Sequence, residues 1–382
     1  VLRVATYNIH KGVRGMGPRK RLEIHNLGLG IEALDADLVF LQEVRLFHAR
    51  DARRFDQTHL GWPDEGQAEF LAPLGYESAY RSNAVTRHGE HGNALLSRWP
   101  LALEVHTFSA QKRLLLGRMQ LNGRTAAVAA VHLTSNYKMD AEDRRSEQLG
   151  VLRERLGRGD IDDAIALGDL NFGDGDENPQ LAAAGLVDVW QSVHPHHPGF
   201  TFDPVANPLA AIMSKTGRAS RLDRILVRSP GQRLAPIDVA LIGARPFAPG
   251  SDGVGQYVSD HFGLSGLLQV EPATLTHATV ASAAVHTSAL MVMPPESVWR
   301  EIQSIRAEHD PAYARWMPHI NLVYGFVPEA DFPAAAEAVT AALRELPPIH
   351  VRLAGVHRFD HKGSSTVWLA PTTSPPDLLK VL

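Results

Sequence analysis

Cysteine is absent from all 382 residues, which excludes disulfide staples, thiolate metal sites and a cysteine nucleophile. Also missing is any apolar run near the roughly 20 residues that span a bilayer, and no secretory hydrophobic stretch opens the chain. No membrane role is expected, and a reducing cytoplasm suits the thiol-free composition. A surplus of positive charge is lacking too. With 38 Lys and Arg against 42 Asp and Glu, the net charge is −4, so avid nonspecific binding to long DNA is not expected. A short nucleic-acid end or a small phosphate ester stays open. No period of roughly 20–50 residues recurs, which argues against a solenoid.

What is present is enough apolar material, 44% of the residues, to build more than one domain. LRVATYNI at 2–9, DADLVFLQE at 35–43, AAVAAVHL at 126–133, AIALGDLN at 164–171, RILV at 224–227 and FGLSGLLQV at 262–270 read as strands. Ile24, Leu27, Ile31 and Leu34 recur at helical spacing. A second helix is expected from Glu142 to Leu156, with Leu149, Leu152 and Leu156 on its buried stripe. GNALLS, GRMQLNGRTAAVAAV and LDRILV permit hairpin-like pairings. They favour an α/β four-layer sandwich, two mixed sheets face to face with helices outside, over a fully parallel doubly wound sheet.

Residues 272–284, PATLTHATVASAA, carry no core pattern and read as a linker between a domain at 1–271 and a smaller α+β domain at 285–382. In the latter, HTSALMVMPP and HINLVYGF are strand-like. Val298, Trp299, Ile302 and Ile305 mark one helix, and Phe332, Ala336, Val339, Leu343 and Leu346 another. IHVRLAGV and STVWLA follow as further strands. Val1 lies inside an expected core strand and Leu382 inside the apolar LLKVL, so both ends read as cut.

Six polar words close apolar runs in the first domain: TYNIH at 6–10, LQE at 41–43, VHL at 131–133, GDLN at 168–171, LDR at 222–224 and SDH at 259–261. A sheet ending these strands at one rim gathers hard oxygen donors and imidazoles, the chemistry of a metal- and phosphate-handling site. Glu43 can bind Mg²⁺ or Mn²⁺ with Asn8 beside it, or make a salt bridge at a sheet edge. In GDLN, Asp169 can orient or deprotonate water and Asn171 can hold a phosphate oxygen; a simple Asx-turn is the bland alternative. Asp223 can fix the tautomer of His261 and stabilise its protonated form, leaving Asp260 for metal or water. SDH can equally be a surface turn. His132 can face the phosphoryl group or make a core-edge hydrogen bond. The HPHHP run at 194–198 suggests an exposed loop rather than zinc. Together these groups meet the needs of in-line phosphate-ester hydrolysis.

TYNIHKG, FLQEV, HGNALLS, VHL, GDLNF, LDRILV and SDHFG follow one another over residues 1–270 in the order of the endonuclease/exonuclease/phosphatase superfamily, which has the DNase I-like fold and which the first domain resembles. The resemblance implies a two-sheet sandwich and a divalent-metal phosphoesterase. It places metal ligands at Asn8, Glu43 and Asp260. It places catalytic groups at His132, Asp169, Asn171, Asp223 and His261. Arg113 and either Arg144 or Arg145 resemble phosphate-side positions of bacterial relatives, with Arg145 read rather as a solvated residue. Arg218 and Arg221, entering the Asp223 strand, are further candidates for substrate phosphate. His91 can approach the site. His10 stands where abasic-site nucleases of the superfamily carry aspartate, which disfavours that subclass.

SALMVMPP, WREIQSIR, WMPHINLVYGF and STVWLAP resemble the 2H phosphoesterase, or RNA ligase-like, superfamily over about residues 285–382. His319 and Asn321 fall on the first of its two motifs, with Asn in place of the usual hydroxyl residue. HKG at 361–363 does not match the second, so the domain is expected to be partial; His286 and His361 are candidate lining residues. The company of the two domains points to a nuclease or phosphodiesterase at RNA ends, in RNA processing or repair. A phosphomonoesterase for a small metabolite or phosphoinositide is the enzymatic alternative. A non-enzymatic RNA-binding module is the alternative of a different class.

Overall fold

Strands that are apolar on both faces need cover on both faces, and that requirement organises the first part of the molecule. In a computed structural model the described residues are 1–14, 21–45, 66–86, 89–109, 112–121, 123–173, 177–249, 255–271, 283–343, 350–361 and 364–374. By contacts the chain divides into Val1–Ala273 and Thr274–Leu382. In the first unit one six-stranded sheet runs, edge to edge, Leu234–Ile242, Gly263–Val270, Leu2–Asn8, Leu38–Arg45, Gly89–Ser97 and Glu77–Thr86. The other runs Val187–Asp188, Asp223–Arg228, Asp163–Asp169, Arg124–His132, Lys112–Leu121 and Ala102–Ser109. Each sheet contains one parallel pair, Leu2–Asn8 with Leu38–Arg45 and Arg124–His132 with Asp163–Asp169. The remaining pairs are antiparallel. The fully parallel alternative is therefore wrong, and the four-layer sandwich is what forms.

The period-2 alternation of strand side chains explains the layers. Leu2, Val4, Phe40, Leu95 and Leu264 of the first sheet meet Leu115, Val128, Ile165, Leu167 and Ile225 of the second in a central core. The intervening residues face outward. Ala5, Val39 and Leu41 pack on Ile24, Leu27 and Ile31 of the helix Ile24–Leu34. Ala127, Ala129 and Ala166 pack on Leu149, Leu152 and Leu156 of the helix Ala141–Leu156. The alanines suit that face because small side chains bring the helix close to the sheet. Burying each large apolar side chain contributes on the order of 1.5–3 kcal/mol. Among the described residues no helix is long and apolar enough to cross a membrane.

The second unit pairs Val285–Val292 with Ile320–Phe326 and His350–His361 with Ser364–Ser374. Among the described residues its α-helices are Trp299–His309 and Phe332–Leu343; the expected continuation to Leu346 lies outside the described residues, as do most of the expected linker and the LLKVL segment.

One glycine controls how the central strands end. Gly168 has φ 141°, and a Cβ there would lie 1.8 Å from the Val131 carbonyl oxygen and 2.7 Å from the Phe40 ring. The close approach of three strands at the site rim thus depends on a missing side chain. Gly168→Ala should destabilise the protein by about 2–4 kcal/mol, read as a lower urea midpoint with unchanged slope. An unchanged midpoint would show that the backbone relaxes without cost.

Candidate active site

The inward-facing alternation that builds the core carries on past its apolar residues and delivers polar ones. Val128 and Ala130 are followed on the same face by His132, Leu167 by Asp169, and Ile225 is preceded by Asp223. In register, Asp169 stands opposite His132 on one side and Asp223 on the other. The three groups therefore form one row across adjacent strands. From the facing sheet Asn8, in line with Leu2, Val4 and Thr6, donates from Nδ2 to Asp169 Oδ2 at 3.1 Å. The row is buried: Asp223 is 0% exposed and Asp169 2%.

Ser259, Asp260 and His261 precede the strand Gly263–Val270, which lies beside Leu2–Asn8. The Ser259 hydroxyl donates to the Asn8 carbonyl oxygen at 2.6 Å and ties the two segments. His261 Nδ1 lies 2.8 Å from Asp223 Oδ2, and its ring packs on Phe202 at 5.3 Å. Thr201 supports the dyad, its Oγ1 accepting from the backbone N–H groups of Leu222 and Asp223. Asp169, Asp223 and His261 each present a ligand atom within 4.8 Å of the others. Asp260 lies on the same rim, 3.8 Å from His10 Nδ1.

Glu43 arrives by a different route. A bulge between Leu41 and Val44 interrupts the strand pairing, and Glu43 itself has φ 57°. His10 (44°), Lys11 (64°) and Asn171 (57°) share the left-handed region, which costs an L-residue about 1–3 kcal/mol each. Four such residues at one rim mean that packing elsewhere holds the turns in place. The Glu43 carboxylate is ion-paired with the Lys11 ammonium.

The electrostatics follow from crowding charge at low solvation. Burial pushes the Asp169 carboxyl up to about 6, the Asp223 carboxylate adds to the rise, and His261 and Lys112 oppose it. Burial alone would discharge His261, but the Asp223 charge and hydrogen bond, with Asp169 and Asp260, push it up to about 10. His132 behaves oppositely: burial and the Lys112 ammonium hold it well below the usual imidazole range, so it is neutral. Burial works to raise Glu43, but the Lys11 charge and hydrogen bond, with His10, outweigh it and hold the carboxyl well below its ordinary value. One imidazolium is thus paired with two facing carboxylates.

The structure brings Asn8, Glu43, His132, Asp169, Asn171, Asp223, Asp260 and His261 to one rim. Asn171 is differently engaged from the expectation of a phosphate grip: its Nδ2 donates to the Leu133 carbonyl at 3.1 Å, and its N–H to Asp169 Oδ1 at 2.8 Å. The arginines fare differently. Arg113 spends Nη1 on the carbonyls of Ser109 and Lys112. Arg144 is exposed and pairs with Asp140 one turn away. Arg218 is exposed. Arg221 is buried against Asp188, which it shares with Arg224.

Arg145 requires a correction, because it is buried rather than solvated. It binds Glu177 at 2.6 Å and reaches the Thr134 carbonyl at 3.1 Å. Phe172, next to Asn171, lies within reach of both the Arg145 and the Arg224 guanidinium, at 5.9 and 5.1 Å from its ring. Arg224 also donates to the Gly173 carbonyl at 2.7 Å, so two buried arginines anchor the chain leaving GDLN. His91 is half-buried within electrostatic reach of Glu43 and Lys11. In the HPHHP run His194 bonds the Val239 carbonyl and His197 the Gly199 N–H, both rings flanking Trp190. In the second unit His319 Nδ1 lies 2.7 Å from the Met317 carbonyl, and Asn321 is exposed on the strand pairing with Met291.

Sequence reasoning missed two lysines, Lys11 and Lys112. Burial pushes Lys112 down to about 8 while Asp169 and Glu43 pull it back up, which places its ammonium among the site charges. Lys11 follows TYNIH directly, and that adjacency in sequence was the one readable signal. Lys112 gave none: it opens its strand opposite a bulge between Thr107 and Ser109 of the neighbouring strand.

The residues present fit a hard divalent cation. Glu43, Asp169, Asp260 and the Asn8 amide oxygen are hard donors, and the buried Asp223 Oδ1 has no hydrogen-bond partner among the described residues.

A family model described as "Endonuclease/Exonuclease/phosphatase family" matches residues 5–261. A second, described as "2'-5' RNA ligase superfamily", matches residues 294–381. The chain is 32% identical over 237 residues to "Uncharacterized protein YbhP" of Escherichia coli strain K12, covering 59% of this chain and 85% of that one. The YbhP protein of Shigella flexneri gives the same figures. A crystal structure of an endonuclease/exonuclease/phosphatase from Beutenbergia cavernae DSM 12333 shares the fold, with TM-score 0.53 and 19% identity over 78% of this chain and 75% of that one.

The dyad makes stability pH-dependent with a definite sign. His261 is raised in the folded state, so its contribution is complete below the ordinary imidazole value of about 6.5 and is lost as pH rises through about 10. Urea unfolding at pH 7 and above 10 should show wild type losing stability over this window and Asp223→Asn losing less. Parallel curves for the two proteins would refute the coupling.

Proposed function

The chain belongs to the endonuclease/exonuclease/phosphatase family, a family of hydrolytic phosphoesterases, and from that membership we propose that the cleft around Asp169 hydrolyses phosphodiesters at RNA ends with a divalent metal. The observation that carries the reading is the buried row His132–Asp169–Asp223 with His261 bonded to Asp223. The match of residues 294–381 to the 2'-5' RNA ligase superfamily supports RNA over DNA or a small ester.

Asp169, raised to about 6, is largely ionised at neutral pH yet basic enough to take a proton from the attacking water. Asn8 Nδ2 holds that carboxylate in one orientation. His261 remains an imidazolium, and its Nε2–H faces developing negative charge on the phosphoryl group; Asp223 keeps it protonated and aligned. Neutral His132, with Nε2 3.7 Å from Asp169 and Nδ1 turned to Asn93 Oδ1 at 3.4 Å, borders the phosphoryl position without adding a repelling cation. Asn171 sets the turn that aims Asp169. Mg²⁺ or Mn²⁺ held by Glu43 with Asn8 and Asp260 would supply charge neutralisation at the phosphoryl and leaving oxygens. Half-buried His319, just before the strand Ile320–Phe326, and exposed Asn321 on that strand carry no role in this proposal.

Internally labelled RNA, 3′-phosphate RNA and 2′,3′-cyclic-phosphate RNA, assayed beside inositol phosphates with Mg²⁺ or Mn²⁺, test the substrate. Rapid hydrolysis of a soluble phosphate ester with no RNA turnover would remove the RNA assignment. Asp169→Asn and His261→Ala should each lower kcat by roughly 100-fold or more; an unchanged kcat in both would remove catalysis from this cleft. The pH profile of kcat/KM should rise through about 6 and fall toward about 10. In Asp223→Asn the alkaline limb should move down toward the ordinary imidazole range.

A further inference from the structure

The contact between Lys11 and Glu43 is imposed by the backbone around it. Gln67, fully buried, donates from Nε2 to the Lys11 carbonyl at 2.9 Å and accepts from the Arg45 N–H at 2.8 Å. One side chain thereby staples the turn after TYNIH to the end of the Glu43 strand. Gly12 follows with φ 65°, and a Cβ there would sit 2.9 Å from Gln67 Nε2 and 3.0 Å from Ile24. The staple therefore needs glycine at that position. Lys11 and Glu43 are held in left-handed backbone on either side of it, and the ammonium lands on Glu43 Oε2. Lys11 is Glu43's sole ion-pair partner among the described residues. Both side chains keep about a quarter of their surface, 28% and 25%, in solvent.

An ammonium and a divalent ion cannot share one carboxylate without strong repulsion. Lysine differs from arginine here: it is a point charge on a flexible stem, with no fork that would lock it to the carboxylate. With an exposed edge beside it, Lys11 can leave Glu43 without unfolding the turn that carries it. We propose that Lys11 is a tethered counter-cation which neutralises Glu43 in the metal-free protein and must be displaced from it for a divalent ion to bind, so that Lys11 sets the metal affinity of the site. The inference rests on the reading of Glu43 as a metal ligand. It gives the protein a cleft that holds its fold and charge balance without metal and binds a divalent ion more weakly than the unpaired carboxylate would.

Mn²⁺ titration of the full chain by calorimetry, without substrate, tests this directly. Lys11→Met and Lys11→Gln should bind Mn²⁺ at least about 10-fold tighter than wild type, because the competing charge is gone. Lys11→Arg, which keeps the charge, should stay near wild type or weaker. Equal or weaker binding in Lys11→Met and Lys11→Gln, with melting temperatures unchanged, overturns the inference while leaving Glu43 a ligand. Absence of Mn²⁺ binding in every protein, wild type included, overturns the metal reading and the inference with it. Wild type alone supplies an independent measurement should the variants fail to fold. In NMR spectra the Lys11 ammonium signal should shift and its proton exchange accelerate as Mg²⁺ is added; a Lys11 signal that stays fixed while Mg²⁺ binds refutes displacement.

Discussion

The site exists because three strands of one sheet end in register. Asp169 is flanked by His132 and Asp223 at the backbone level, so their side chains are brought together by the hydrogen-bond ladder rather than by flexible loops. Burying two carboxylates side by side opposes their joint ionisation. His261 resolves that conflict by contributing a proton held between Asp223 and the rest of the row. Without the ladder the groups would be ordinary surface acids, and without His261 the row would carry uncompensated charge inside the protein.

Around this row the molecule accepts strain in order to aim side chains. His10, Lys11, Glu43 and Asn171 occupy backbone conformations that glycine would take more readily. Gln67 ties Lys11 to Arg45, two residues past Glu43, while Arg145 and Arg224 secure the segment after Asn171 through Phe172 and Gly173. These arginines are buried with Glu177 and Asp188 as partners. Removing one partner of such a pair leaves a buried charge, which is why the supporting residues are as consequential as the row they hold.

The polar ends of the strands were legible in the sequence because strand alternation is local. Asn8, Asp169 and Asp223 continue an apolar face that can be read from LRVATYN, IALGD and DRILV alone. The helix at Ala141–Leu156 was legible for the same reason, through the spacing of Leu149, Leu152 and Leu156. Arg145 on that helix was not. Its burial depends on Glu177, 32 residues away, and nothing in a periodic pattern distinguishes a solvated arginine from one with a distant partner. Lys112 illustrates a second limit, since its place among the charges of Asp169 and Glu43 depends on segments far from it in sequence, which no local alternation records.

By itself the sequence determined which residues are inward, which are polar at strand ends, and the order in which the family's motifs occur, because these are properties of neighbours along the chain. Only the tertiary structure decided that Asp169 lies between His132 and Asp223, that Asn8 reaches it from the opposite sheet, and that Lys11 rather than open solvent meets Glu43. Those relations depend on strand register, on the crossing of two sheets and on left-handed turns stapled by Gln67. Each is the outcome of packing between segments far apart in sequence, where the free energy belongs to the assembled core and not to any one stretch of chain.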